Sequence, residues 1–236
     1  MGFYAFLQIA PCYISRWIGV DALHVEHAPT IGDDMFQPDS TSLLIERTRT
    51  LLTPLYLEPS RAYHGLGHVQ ALLKHLSDHL QLAKAPVSIE LAIWFHDAVY
   101  DTMRHDNEEQ SSQLAERYLP EWGCAPDLVA SVASKVRATQ RHEWLDGDSD
   151  TALFLDLDLS VLAARADVYD SYAEQVAQEY AWVPEALYQQ GRATVLAGFL
   201  KRDHIYFTPS LRLLWEPAAR ANLHRELSRL VLSGHS

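Results

Sequence analysis

Two residues of opposite chemical character sit side by side in the most apolar stretch of the chain. His96 and Asp97 follow Leu91, Ile93, Trp94 and Phe95 in ELAIWFHDAVYD. Burying an imidazole and a carboxylate without partners is costly. A divalent metal ion is an economical partner for both, because it accepts nitrogen and oxygen ligands together. The alternative is a core histidine hydrogen-bonded to its neighbours.

Three other stretches carry residues able to complete such a site. In YHGLGHV, His64 and His68 are four apart and share a face if both are helical. Gly65 and Gly67 argue that a helix starts between them, which puts His68 in its first turns with Val69 and Leu72 toward the core. The zinc-protease arrangement fails, because Gly65 stands where a glutamate is needed. In FLDLDLSVL, Asp156 and Asp158 sit among apolar residues, and at least one needs a cation partner if buried. On a helix, positions two apart face opposite sides. One aspartate is therefore the ligand candidate and the other a cap or surface residue. In KVRATQRH, Lys135, Arg137, Arg141 and His142 form the dense basic cluster of an otherwise acidic chain. Positive charge at a helix C-terminus complements the macrodipole. The cluster is also a candidate anion subsite, with His142 a candidate ligand for a second ion.

These residues need helices to position them. Residues 1–39, with Pro11, Arg16 and the loop-like HAPTIGDD, read as an N-terminal appendage or as an over-long start, not as a signal peptide. From Ser40 to the end the apolar spacing is three to four throughout, and a single helical domain over 40–236 is expected. The expected helices run Ser40 to Tyr56, Gly65 to Leu82, from Pro86 through the central stretch, Glu108 to Tyr118, and Pro126 to Thr139. Others follow over Leu153 to Ala164, Ala166 to Trp182, Pro184 to Arg202 and Pro217 to Leu232. No alternating run calls for a sheet, so the fold class is all-α.

The bulk numbers narrow the function. A net charge of −12 argues against an extended nucleic-acid surface. No run of about 18 apolar residues suggests a membrane span. Two cysteines, Cys12 and Cys124, make no disulfide framework, and a cytoplasmic location is expected. The sequence leaves the oligomeric state open, a homodimer being one expectation.

The order His68, His96-Asp97, Asp158 resembles the H…HD…D signature of the HD superfamily of metal-dependent phosphohydrolases. More narrowly, RAYHGLGHV, AIWFHDAVYD, DNEEQSS, RATQRH, FLDLDLSVL, EYAWVP and GRATVLAGFLKR resemble a group of predicted bacterial HD-domain phosphohydrolases. The resemblance spans about Ser40 to Leu232. It implies a helical bundle with the metal site in its centre. By position, it implies His68, His96, Asp97 and Asp158 as ligands, with Asp158 preferred over Asp156. The ion is divalent, one of Mn, Fe, Co, Ni, Zn or Mg, and the substrate a small phosphate ester, including nucleotides, hydrolysed through a metal-activated water.

Tyr63-His64 and His68 also resemble the YHNxxH element of cyclic-nucleotide phosphodiesterases, which makes His64 the candidate general acid. Gly65 in place of Asn, and AlaValTyrAsp after the HD pair, depart from that element. Asp101, one helical turn past Asp97, and Glu108 are candidates to orient or deprotonate the water. Arg61, Arg137, Arg141, Arg192 and His142 are candidates to hold phosphate, a guanidinium gripping it at two points. Tyr63, Trp94 and Tyr100 are candidates to stack on a base. The competing class is a binding or regulatory protein that keeps the ion without turnover. The surplus of polar groups around the ligands favours an enzyme.

Overall fold

Helix α3 (Pro86–Phe95) is apolar on every side, and a helix of that kind has to lie inside the others. Ile89, Leu91, Ala92, Ile93 and Phe95 are fully buried, each large side chain contributing roughly 1.5–3 kcal/mol. The computed structural model describes residues 40–145 and 147–233. The expectation of an appendage over residues 1–39 lies outside the described residues.

Among the described residues there are nine α-helices and no strand. α1 (Ser40–Tyr56) and α2 (Leu66–Asp78) precede α3, and a 3₁₀ turn at Leu80–Leu82 closes the second of them. α4 (Asn107–Glu121), α5 (Pro126–Ala138) and α6 (Ser149–Asp158) follow. A 3₁₀ stretch, Leu159–Ala163, prolongs α6 and leads to α7 (Ala166–Glu179), α8 (Glu185–Leu200) and α9 (Pro209–Ser233). α3 packs against α1, α2, α4, α5 and α6. No described helix is long and apolar enough to cross a membrane.

The core has two parts. One gathers Leu52, Val69, Leu72, Phe95, Phe154 and their neighbours around α3. The other gathers Leu162, Tyr169, Val176, Leu196, Ile205 and Leu223 between α7, α8 and α9. α6 feeds the first through Leu157, and the 3₁₀ stretch feeds the second from Leu159. Asp158 is the residue between them, at the seam.

Buried carboxylates pin two helix starts, one of them that of the helix leading into His96. Asp150 accepts from the backbone N–H of Lys84 (2.8 Å) and Ala85 (2.7 Å), just ahead of Pro86. Asp156 accepts from Phe207 (2.7 Å) and Thr208 (2.6 Å), just ahead of Pro209. Orphan amides at a helix start are satisfied this way, and the dipole favours the negative charge. This corrects one boundary. The last helix starts at Pro209, not at Pro217, and Pro217 lies within it. A proline at the first helical position is the commoner arrangement, and Thr208-Pro209 was that signal.

Candidate metal centre

α3 ends at Phe95, and the chain turns through His96 and Asp97. The cause is Arg61. Its guanidinium donates to the carbonyls of Asp97 and Ala98, and it lies over the rings of Tyr56 and Tyr100. Its side chain is 2 % exposed. Arg61 therefore holds the turn that carries two candidate ligands, and is not a phosphate grip. Tyr56 adds a hydrogen bond from its hydroxyl to the Trp94 carbonyl.

His96 donates from Nδ1 to the Ile93 carbonyl at 2.8 Å, the kind of second contact that fixes the tautomer and ring of a metal-binding histidine. Its Nε2 then faces outward from α3. There it lies 3.1 Å from His68 Nε2, 3.6 Å from Asp158 Oδ1 and 3.1 Å from Asp97 Oδ2. His68 Nε2 lies 3.0 Å from Asp158 Oδ1 and 4.0 Å from Asp97 Oδ2. His68, His96 and Asp158 thus form a buried group able to hold a metal ion. Donors about 2.0–2.2 Å from a common centre stand about 3.0–3.6 Å from one another, which is the spacing found.

The electrostatics point the same way. Two ring nitrogens this close cannot both carry protons, so they either share one proton in a hydrogen bond or face a common cation. Burial pushes the pKa of His96 down, but the Asp97 and Asp158 carboxylates outweigh it and hold it well above the usual range. His68, with burial dominant, is lowered. Both carboxylates are held below their ordinary range although burial opposes this, chiefly by the facing His96 ring. The site is a concentration of negative charge that favours a positive one between its donors.

Asp158 is gripped at both oxygens. His142 Nε2 reaches Oδ2 at 2.8 Å. His142 adopts a left-handed backbone (φ 48°), uncommon for a residue with a side chain. Arg202 donates to the carbonyls of His142 (2.7 Å) and Arg141 (2.9 Å) and so fixes that conformation. His142 braces a candidate ligand instead of lying among arginines as an anion subsite. Asp156, turned to the opposite side, is the cap described above. Its carboxyl, pushed up by burial to about 6, belongs to the α9 start.

A cavity of about 490 Å³ opens onto the group, lined by His64, His68, Asp97 and Asp158 among others. His64 precedes α2 and is held by Glu179 at the end of α7. Glu179 Oε2 takes His64 Nδ1 at 2.7 Å and the Tyr100 hydroxyl at 2.9 Å. Its Oε1 takes the backbone N–H of Tyr63 (2.7 Å) and His64 (2.9 Å). Tyr100 stacks on the His64 ring with centroids 4.3 Å apart. Burial lowers the pKa of His64, but the Glu179 carboxylate, with Asp97 and Asp158 behind it, outweighs burial and leaves it raised. Sequence reasoning gives Glu179 no role. Its only signal is its place at the head of EYAWVP.

The remaining candidates divide. Glu108, in the first turn of α4, lines the cavity, as does Arg192. Arg192, however, is buried and paired in two places with Glu226, at 2.7 and 3.0 Å, and it also donates to Tyr172. It is a core ion pair rather than a phosphate grip. Asp101 does not sit one turn beyond Asp97, because the helix has already ended. It is exposed, and its carboxylate accepts from Met103 N at 2.8 Å. The basic cluster disperses around α5. Lys135 points inward to Asp148 and Ser131, Arg137 pairs with Glu109 and Glu116, and Arg141 is exposed. Trp94 belongs to the core, while Tyr63 and Tyr100 line the cavity.

Comparison with protein-family models, with curated proteins and with solved structures finds no match. The chemistry is therefore read from the residues. A pair of imidazoles and one or two carboxylates suits a divalent ion with positions left open to the cavity.

Proposed function

We propose that this chain is a metal-dependent phosphohydrolase acting on a small phosphate ester. One observation carries the reading. His64, its ring held from behind by Glu179, lines the same cavity as His68, Asp97 and Asp158. A site that only stores an ion has no use for a further imidazole that neither binds the ion nor braces a ligand.

His68, His96 and Asp158 would hold the ion, with Asp97 as the fourth ligand. When bound, the ion supplies Lewis acidity toward a phosphoryl oxygen and makes a neighbouring water more acidic. His142 keeps Asp158 from rotating, and Arg61 keeps the His96–Asp97 turn in place. Glu179 accepts from His64 Nδ1, which stabilises the imidazolium and aims Nε2 into the cavity. From Nε2 a proton passes to the leaving oxygen of the ester, the role of a general acid. Tyr100, stacked on the ring, limits its rotation. Glu108, which also lines the cavity, remains as a group able to orient water.

The test is release of phosphate from a panel of phosphate esters, with and without added Mn²⁺ or Co²⁺. The panel is repeated on Asp97→Ala and His64→Ala. Metal-dependent turnover lost in both variants supports the reading. Absence of turnover with every ester and metal would return the chain to a binding or regulatory role.

A further inference from the structure

Resting on that phosphohydrolase reading, we propose that the substrate is a phosphate monoester whose alcohol part is an uncharged, ring-bearing apolar group. The cavity then selects against nucleoside polyphosphates and sugar phosphates.

The charge around the cavity sets the first limit. Asp97 and Asp158 offset a divalent ion, and Glu108 adds a further negative group at the wall. The two arginines that line the cavity are already matched by carboxylates. Arg104 makes a two-point pair with Asp106 (2.9 and 2.8 Å), and Arg192 makes one with Glu226. The sequence candidates Arg61, Arg137 and Arg141 do not line it. A single phosphate at the ion is accommodated. Each additional phosphate of a di- or triphosphate would compete with Asp106 for the half-exposed Arg104, while the buried Arg192 is taken by Glu226.

The wall sets the second limit. Away from the metal group it is mostly apolar, with Leu162, Tyr172, Val183, Leu196, Phe199 and Leu223 contributed by the second part of the core. Several polar side chains that line it are committed locally. Thr139 and Thr194 donate to the carbonyls of Val136 (2.7 Å) and Gln190 (2.9 Å). Asn107 bonds to the Asp101 backbone in both directions. Along this apolar part of the wall a sugar's hydroxyls would lose water and regain fewer partners, which disfavours them.

The rim supplies a recognition element. Trp182 is 47 % exposed, yet its indole N–H is anchored to Thr102 Oγ1 at 2.8 Å. An aromatic plate held at the mouth of an apolar cavity suits a ring on the substrate.

The experiment uses the full chain loaded with Mn²⁺. Four probes are compared: 1-naphthyl phosphate, a nucleoside 5′-monophosphate, the matching 5′-triphosphate, and glucose 6-phosphate. The expected KM for 1-naphthyl phosphate is about tenfold or more below that for the triphosphate and for the sugar phosphate, a comparison that the differing leaving groups affect less than they affect kcat. Trp182→Ala is expected to raise KM for 1-naphthyl phosphate about fivefold at unchanged kcat, leaving glucose 6-phosphate unmoved. Turnover that favours the triphosphate or glucose 6-phosphate overturns this inference and leaves the phosphohydrolase reading intact.

If none of the probes is turned over, the wider panel of esters and metals decides on the phosphohydrolase reading, and equilibrium binding decides on the cavity. Tryptophan quenching by 1-naphthyl phosphate that is absent in Trp182→Ala, at about tenfold lower concentration than the triphosphate needs, supports the selectivity. Equal or tighter triphosphate binding overturns it.

Discussion

Glu179 holds the His64 ring at 2.7 Å from a position 115 residues further along the chain. The same carboxylate binds the His64 backbone and the Tyr100 hydroxyl, so ring, backbone and stacking partner are fixed by one residue. If His64 is the general acid, Glu179 is a positioning residue whose effect depends on the leaving group. Glu179→Gln should lower kcat about 10²-fold or more on an alkyl phosphate, with KM little changed. The loss should be much smaller on a nitrophenyl ester, whose leaving oxygen needs no proton. Equal losses on both esters would mean that Glu179 acts only through stability.

Arg61 is expected to matter for folding more than for substrate. Its guanidinium satisfies the Asp97 and Ala98 carbonyls from a buried position. Removing a charged donor from buried acceptors costs about 1.5–3 kcal/mol per bond. Arg61→Ala should therefore lower the urea midpoint strongly, by a free energy of about 3 kcal/mol or more. Arg61→Lys should recover only part of it, since one ammonium does not span two carbonyls. A raised KM at unchanged stability would instead return Arg61 to phosphate binding.

Arg192 and Glu226 make a buried pair joined by the Tyr169 hydroxyl. Breaking such a pair from one side leaves an uncompensated charge and costs about 3–5 kcal/mol. Arg192→Met should show that loss in chemical denaturation. Arg192→Met combined with Glu226→Leu should regain much of it. A double variant as unstable as the sum of the singles would contradict this account of the pair.

Lys135 and Asp148 link stability to pH. Burial pushes the Asp148 carboxyl up, but the Lys135 ammonium at 2.9 Å, with the Asp150 amide and Thr151 hydroxyl, outweighs it and leaves the pKa lowered. A carboxyl whose pKa is lower in the folded state contributes stability above its unfolded value of about 3.9 and loses it as the pH falls through the folded one. The Tm advantage of the native chain over Asp148→Asn should be present at about pH 6 and shrink toward about pH 3. An advantage that grows on acidification would contradict the assigned sign.

The helices were legible because their apolar residues recur every three to four positions around a common core. His96 and the Asp156–Asp158 pair stand out in the sequence as polar groups in apolar runs that need partners no sequence neighbour supplies, whereas His68, and Asp158 over Asp156, are singled out by the family resemblance alone. The arginines carry no such signal. A guanidinium reads the same in the sequence whether it meets a phosphate, a backbone carbonyl as Arg61 does, or a carboxylate as Arg192 does. Glu179 looks like any acidic residue at the end of an amphipathic helix until α7 is docked. Gly65 reads as a weak helix position, but its reason is spatial. A Cβ there would stand 3.2 Å from the carbonyl oxygens of both Tyr56 and Arg61.

Metal analysis of the purified chain, paired with calorimetric titration of the chelator-treated protein with Mn²⁺, Co²⁺ and Zn²⁺, tests the centre most directly. One divalent ion per chain is expected, with affinity lost in Asp158→Ala and in His96→Ala while both variants keep their helical circular dichroism. A chain that takes up no ion, or that binds one equally well after both substitutions, would contradict the assignment of His68, His96 and Asp158 as its ligands.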